Sequence, residues 1–244
     1  MKRIKEILKI SPYNLYENIY SRYIKKVKLN KQKREIQKYL ENEEIKKLQL
    51  GSGVNILPGW LNTDLKSKTD ITFFDAGEPF PIPTESFHFI FNEHLFEHLK
   101  IEQQLSLLKE SHRILKKGGV LRIAMPNLDF LISLYSEPNL KFNREYIEWA
   151  MNHSPLLRRT NNLLNCDHQK KIYVINNFFK AWGHQLIHNY ESIREMASQC
   201  GFKNIYQVEI GKSAFMELNN IEKHGAVIPP KMNEIETMVI EMVK

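Results

Sequence analysis

Two glycines and an aspartate are the first residues in this sequence whose types and spacing could do chemistry. Lys47-Leu-Gln-Leu-Gly51-Ser52-Gly53 is an apolar run that breaks into two residues lacking a Cβ. Such a turn bends sharply and lets the backbone approach a ligand. Trp60-Leu-Asn-Thr-Asp64 is a second apolar run, ending on a carboxylate. At the end of a strand that carboxylate can accept hydrogen bonds from the 2′- and 3′-hydroxyls of a ribose. Histidines form the second group. His94 and His98 follow a later apolar run, and His184 and His188 lie in Gly183-His-Gln-Leu-Ile-His188-Asn-Tyr190. Imidazole changes charge near neutral pH and can take a proton from an acceptor group. A single Gly-x-Gly also fits a plain structural turn, so the elements that would position these residues decide its meaning.

Five apolar runs at 47–50, 61–64, 71–74, 87–91 and 120–125 read as strands, and their alternation with turn residues predicts a doubly wound, mostly parallel α/β sheet. In such a sheet ligands lie beyond the carboxyl ends of the strands. Gly51, Ser52, Gly53, Asp64, Asp75, Ala76, Asn92, Glu93 and His94 all fall at those ends. The first three connections are too short for the dozen residues a helical crossover needs, so turns replace helices there and something else must cover the sheet. Ile101, Leu105, Leu108, His112 and Leu115 form one helical stripe, closed by Lys116-Lys-Gly118-Gly119. His112 reads as a packed side chain. Residues 128–183 have helical spacing and a polar centre (Arg158, Arg159, Cys166, Asp167, His168) and read as a helical insertion. Ile193, Met196, Ala197 and Cys200 mark a further helix, 205–210 a sixth strand, 211–233 a loop or hairpin with Pro229-Pro230, and 235–243 a last strand.

At 244 residues the chain can bury one sizeable α/β core. A hydrophobic content of 42% and a charged content of 26% are ordinary for a globular protein. No run approaches the eighteen or so apolar residues of a membrane span, and the charged amino terminus lacks a signal-peptide core; the expectation is a cytoplasmic protein. Two cysteines, Cys166 and Cys200, suit a reducing compartment and cannot build a metal site by themselves, and Cys166-Asp167-His168 offers too few ligands, so no metal is expected. Residues 1–40 hold twelve Lys or Arg against three Glu, a net of +9 within the chain's +7, so the other 204 residues sum to −2. Residues 1–45 read as helical, with Ile4, Ile7 and Leu8 on one helix, Ser11-Pro12 starting a second, and Leu15, Ile19 and Tyr23 at core-like spacing. The basic face is read as solvated on helices that cover the sheet. Peripheral contact with anionic lipid at the inner membrane face is the alternative, and no stacking platform for nucleic acid is present.

The ordered set 47–53, 60–64, 70–76, 80–94, 97–99 and 113–123 resembles the class I S-adenosylmethionine (SAM)-dependent methyltransferases, in particular the small type 11-like proteins associated with surface-glycan pathways. The resemblance implies a Rossmann-like fold with an antiparallel last strand, N-terminal helices in 1–45, and a methyltransferase domain over 46–244 whose insertion, 128–188, binds the acceptor. It further implies SAM as cofactor, with Gly51, Ser52 and Gly53 at its methionine part, Asp64 at the ribose, Asp75 and Ala76 at the adenine edge, and Asn92 again at the methionine. His94, near the projected methyl group, and His184 are the candidate catalytic histidines, with Glu97 and His98 as supports. The implied reaction is O-methylation of a sugar, sugar phosphate or related small polar acceptor in surface polysaccharide synthesis; Arg158, Arg159, Lys170 and Lys171 suggest an anionic one. An NAD-dependent oxidoreductase and a catalytically silent methyltransferase-like binding subunit are the alternatives.

Overall fold

A computed structural model describes residues 12–164 and 170–244 of the chain. Its centre is a seven-stranded sheet: β1 Lys47–Leu50, β2 Leu61–Asp64, β3 Thr72–Phe73, β4 Phe87–Glu93, β5 Leu115–Pro126, β6 Ile205–Val208 and β7 Thr237–Val243. The order is β3-β2-β1-β4-β5-β7-β6, parallel except for β7, which runs antiparallel to both neighbours. Leu48 and Leu50 of β1 are fully buried, as is Ile90 of β4, and Gln49 between the two leucines is buried as well, so β1 is covered on both faces. Leu50 pairs with Asn92 on one side and Thr63 on the other. The chain reverses its direction of strand addition at this β1/β4 boundary, where an open α/β sheet places its ligand.

The connections from β1 through β4 contain no helix, in agreement with their length. A 31-residue helix, α1 (Pro12–Asn42), supplies cover instead. Ile36, Tyr39 and Leu40 pack on the main core, Tyr39 stacks on Phe87 with ring centroids 6.1 Å apart, and Lys28 lies over the ring of Phe73. The Tyr39 hydroxyl accepts from the Lys47 amide, and burial pushes its pKa up to about 12. The expected core position of Tyr23 does not hold: its side chain is 62% exposed, and among the described side chains of α1 those buried are Gln32 and Ile36, farther along the helix. The expected helix through Ile4, Ile7 and Leu8 lies outside the described residues.

Helix α2 (Ile101–Ile114) follows β4, but its inner face is Gln104, Leu107, Leu108, Ser111 and Ile114, rotated from the apolar stripe expected. Two polar residues sit inside. The Gln104 amide donates to the Phe96 carbonyl and its oxygen accepts from His188, which satisfies a group that would otherwise be costly to bury. His112 packs edge-on against Phe202. β5 begins directly at Leu115, and the Gly118 turn, at φ +77°, becomes an irregularity within the strand instead of a helix terminus.

After β5 come α3 (Leu128–Ser136), α4 (Lys141–His153), α5 (Pro155–Leu164) and α6 (Lys170–Lys180). They close on a core of their own, centred on Leu131, Leu134, Tyr146, Met151, Val174 and Phe178. Residues 165–169, including Cys166, Asp167 and His168, lie outside the described residues. Helix α7 (Tyr190–Gln199) leads to β6. The stretch 211–233 is not a plain loop or hairpin: it forms two short 3₁₀ turns, and Pro229 then Pro230 start helix α8 (Pro230–Glu236). Proline in the first helical turn sacrifices no hydrogen bond, so this pair begins a helix, and β7 starts at Thr237. The strap 211–224 covers the face of the sheet bearing Trp60, Phe91 and Val120. It is fixed by the buried guanidinium of Arg122, which donates to Glu222, Glu241 and the Lys212 carbonyl. No helix among the described residues is long and apolar enough to cross a membrane.

Candidate active site

The turn after β1 places Gly51 at φ +67° and Gly53 at φ +57°, a left-handed backbone that side chains rarely adopt. At Gly51 a Cβ would also meet the Leu95 side chain at 3.0 Å. Asp64, closing β2, faces this turn. One carboxylate oxygen accepts the Gly53 N–H at 3.1 Å and the other the Lys66 N–H at 2.9 Å. A carboxylate has about four acceptor positions, so each oxygen keeps capacity for a ligand hydroxyl. Asp75 accepts the Gly77 N–H and so shapes the turn beyond β3, while Ala76 is buried in the main core.

Asn92 is fully buried in β4, yet among the described residues neither its oxygen nor its nitrogen has a hydrogen-bond partner, and the Ser52 hydroxyl is likewise buried and unpartnered among them. Buried polar groups are rarely left unpaired. These two lie where β1 and β4 end: Ser52 stands between the two glycines, and Asn92 pairs in register with Leu50, the residue before Gly51. A ligand with an ammonium and a carboxylate at one end and a ribose at the other would pair with Ser52 and Asn92 and with Asp64. The methionine and adenosine halves of SAM meet that description, so the residues present fit this cofactor.

Immediately past β4 the chain forms a group of histidines. His94 sits at φ +48°, and its Nδ1 lies 3.0 Å from a carboxylate oxygen of the buried Glu97. Burial opposes charge on His94, but the bond to Glu97 and the carboxylate's field outweigh it and hold the pKa above the ordinary histidine value; Glu97, likewise opposed by burial, is held below the ordinary carboxylate value by His94. His94 Nε2 is buried with no hydrogen-bond partner among the described residues. The His224 ring packs on His94 with centroids 3.9 Å apart, and His224 Nε2 lies 3.4 Å from Glu236 Oε1. The Tyr146 hydroxyl donates to the other Glu236 oxygen. Its pKa is driven well up by burial and by that neighbouring carboxylate. Glu93, the last residue of β4, accepts the backbone N–H groups of Lys223 and His224 at 2.9 to 3.0 Å and so holds His224 in place.

On the opposite side, the backbone N–H groups of Gln185 and Leu186 donate to the Glu97 carbonyl and carry His184 against His98, with ring centroids 4.8 Å apart. His184 Nδ1 lies 2.7 Å from the Phe178 carbonyl. A carbonyl only accepts, so Nδ1 carries the proton and Nε2 the lone pair. Burial lowers the His184 pKa, and the ring is a neutral base at neutral pH. His188 is structural: its Nε2–H donates to Gln104 and its Nδ1 faces the Ser192 hydroxyl, tying α7 to α2.

These groups open on a cavity of about 590 Å³ between the carboxyl ends of β4 and β5 and the inserted helices. Its walls include Tyr146, Trp149, Phe178 and Trp182, together with His94, Glu97, His98, His184, His224 and Glu236. Of the cations expected to draw an anionic acceptor, Lys170 is paired with Glu148 at 3.1 Å and Lys171 lies over the Tyr135 ring. Neither these nor Arg158 or Arg159 lines the cavity. Sequence reasoning missed His224 and Glu236 because they fall in a stretch read as loop and strand, and it missed Tyr146 and Trp149 because irregularly spaced aromatics carry no periodic signal.

Residues 48–123 match the family model described as a methyltransferase domain. No curated protein matches the chain. Among solved structures, a SAM-dependent methyltransferase from Archaeoglobus fulgidus is similar at 16% identity and a TM-score of 0.45, covering 96% of this chain and 100% of that one. A SAM-dependent methyltransferase from Thermotoga maritima is similar at 17% identity and 0.43, covering 94% and 96%. Phosphoethanolamine N-methyltransferase 2 of Haemonchus contortus, in complex with S-adenosyl-L-methionine, is similar at 15% and 0.41, covering 87% of this chain and 52% of that one. Residues 48–123 thus carry a methyltransferase domain that spans both glycines, Asp64, Asp75, Asn92 and His94, and the unpaired groups at its strand ends suit SAM as the cofactor.

Proposed function

We propose that this enzyme O-methylates a hydroxyl of a small polar acceptor, a sugar or a sugar-like ring, held in the histidine-lined cavity. SAM supplies an electrophilic methyl group on a sulfonium. The chain's own residues have three tasks: to hold the donor at the strand tips, to hold the acceptor in line with it, and to receive the hydroxyl proton. Ser52, Asn92 and Asp64 serve the first. Tyr146, Trp149, Phe178 and Trp182 serve the second, since aromatic faces cover the C–H face of a sugar ring while neighbouring polar groups fix its hydroxyls.

The observation that carries the proposal is the fixed tautomer of His184. Its Nε2 is an unprotonated base on the cavity wall at neutral pH, suited to an acceptor that must lose a proton as its oxygen attacks. Because no Lys or Arg among the described residues lines the cavity, the reacting end of the acceptor is uncharged, and a phosphate, if the acceptor carries one, lies outside. A role in surface polysaccharide synthesis rests on the family resemblance.

The test is transfer of labelled methyl from SAM to a panel of sugars, nucleotide sugars and matching amines, with the product bond identified by mass spectrometry. O-methyl products are expected. His184→Gln should lower kcat by about 10²- to 10⁴-fold, the usual share of a general base, with S-adenosylhomocysteine affinity unchanged. The wild-type rate should be level through neutral pH and fall only below the ordinary histidine pKa, in the direction set by the burial of His184 and the neighbouring His98 and His94, with Glu97 opposing. Methylation of amines alone, or full activity in His184→Gln, refutes the reading.

A further inference from the structure

We infer that His94, His224 and Glu236 form a binding site for one divalent transition-metal ion, zinc or an ion of similar nitrogen and oxygen preference, in the floor of the acceptor cavity. One ligand-capable atom of each residue lies within 4.8 Å of the other two. Ligands at about 2.0 to 2.2 Å from a tetrahedral ion stand roughly 3.3 Å apart. The 3.4 Å between His224 Nε2 and Glu236 Oε1 already has that spacing. Two imidazoles and one carboxylate leave a fourth position open, as in catalytic sites.

Three independent features point the same way. His94 Nε2 is buried without a hydrogen-bond partner among the described residues, an expense that a metal bond at that nitrogen removes. The three residues also have the outer partners that metal ligands require. Glu97 holds His94 Nδ1 at 3.0 Å, the arrangement that fixes a ligating histidine's tautomer, and Tyr146 holds the second oxygen of Glu236. Finally, the positions are enforced by backbone anchors. Glu93 grips the His224 amide at 2.9 Å, and His94 keeps a left-handed backbone that only a firmly determined surrounding maintains.

The inference rests on the proposed O-methylation for its purpose. An ion there would polarise the acceptor hydroxyl. As the C–O bond forms and the C–S bond breaks, the hydroxyl proton passes to His184 Nε2, leaving an O-methyl product and S-adenosylhomocysteine.

Metal binding is tested without acceptor or SAM. Full-length protein is stripped with a chelator and titrated with Zn²⁺ against a chromophoric competitor, and with Co²⁺ followed by its visible absorption. One equivalent should bind, with an intense band of a four- or five-coordinate cobalt site. His224→Gln and Glu236→Gln should each weaken binding by more than 100-fold, and Glu97→Gln, an outer partner, by about 10- to 100-fold. Thermal melting and S-adenosylhomocysteine titration show that each variant is folded. Absence of stoichiometric binding by the wild type overturns the inference. So does equal affinity in His224→Gln, or a loss confined to His98→Gln or His184→Gln, which with Glu97 form a neighbouring trio. Methyl transfer by metal-free protein would overturn the site and leave the proposed O-methylation standing. A bound ion without transfer to any hydroxyl would do the reverse.

Discussion

Gly51 and Gly53 share a left-handed backbone and differ in what surrounds them, so alanine at each separates strain from contact. At Gly53, φ is +57° and a Cβ would meet nothing within 4 Å. Gly53→Ala should therefore cost only the left-handed backbone, about 1–2 kcal/mol. At Gly51, φ is +67° and a Cβ would fall 3.0, 3.1 and 3.2 Å from three atoms of Leu95. Leu95 is packed against the main core and cannot simply swing away. Overpacking of this kind adds about 1–3 kcal/mol to the strain. Gly51→Ala should then be less stable than Gly53→Ala by about 1–3 kcal/mol, or roughly 2–12 °C in melting temperature for a chain of this size. Urea denaturation of both variants measures the difference.

Leu95→Ala supplies the control. It opens a hole in the wild type, but in the Gly51→Ala background it removes the atoms in conflict, so the double mutant should be more stable than the sum of the singles by the same 1–3 kcal/mol, a coupling expected of residues in contact. Equal destabilisation by the two glycine substitutions, or strict additivity with Leu95→Ala, would refute the reading that Gly51 is required by the close approach of the chain beyond β4.

Asp64→Asn should weaken S-adenosylhomocysteine binding by about 10- to 100-fold in calorimetry, the value of hydrogen bonds to a charged acceptor; unchanged affinity would remove Asp64 from the cofactor site. Arg122→Met leaves Glu222 and Glu241 buried without their cation and should destabilise by about 3–5 kcal/mol in denaturant, whereas the triple variant with Glu222→Gln and Glu241→Leu should recover most of it; equal stability of single and triple variants would contradict the assignment. Burial holds the His188 pKa below its ordinary value. Its contribution to stability is therefore complete above about pH 6.5 and is lost as pH falls through the lower folded value. His188→Gln should flatten the acid side of a melting-temperature profile between pH 8 and 5, and a steeper acid side would show the sign to be wrong.

The sheet was legible because its central strands are buried on both faces and end on residues that cannot continue them. Leu48 and Leu50 run into Gly51, and Leu61 runs to Asp64, so type and boundary are written together. The face of α2 was not legible from apolar residues alone, since Gln104 and Ser111 occupy it. Gln104 can be buried only because Phe96 and His188 supply partners from elsewhere in the chain, and no local pattern records them. The start of β7 was misplaced for a similar reason. Ile235 has the composition of a strand, but Pro230 can open a helix at no loss, and that helix runs on to Glu236.

The two halves of the proposed site differ in how they are encoded, which is why the strand-end residues, His94 and His184 could be named from the sequence while His224 and Glu236 could not. The donor half is made by consecutive strand ends, where backbone geometry fixes each residue within a few positions of its neighbours. The proposed acceptor half is assembled across the chain: His94 follows β4, His184 precedes α7, His224 precedes α8 and Glu236 ends it. What brings them together is a set of long-range polar anchors. The Glu97 carbonyl accepts from Gln185 and Leu186, Glu93 accepts from the Lys223 and His224 amides, and Arg122 of β5 clamps Glu222 two residues before His224. Each anchor originates on β4, β5 or the turn just beyond β4, so the geometry of the sheet is transmitted outward to His184 and His224, which lie outside its strands and the α-helices. The roof helices can therefore vary in length and packing while the histidines keep their places, and changes in acceptor choice should map to Trp149, Phe178 and Trp182 instead of to the anchored residues below them.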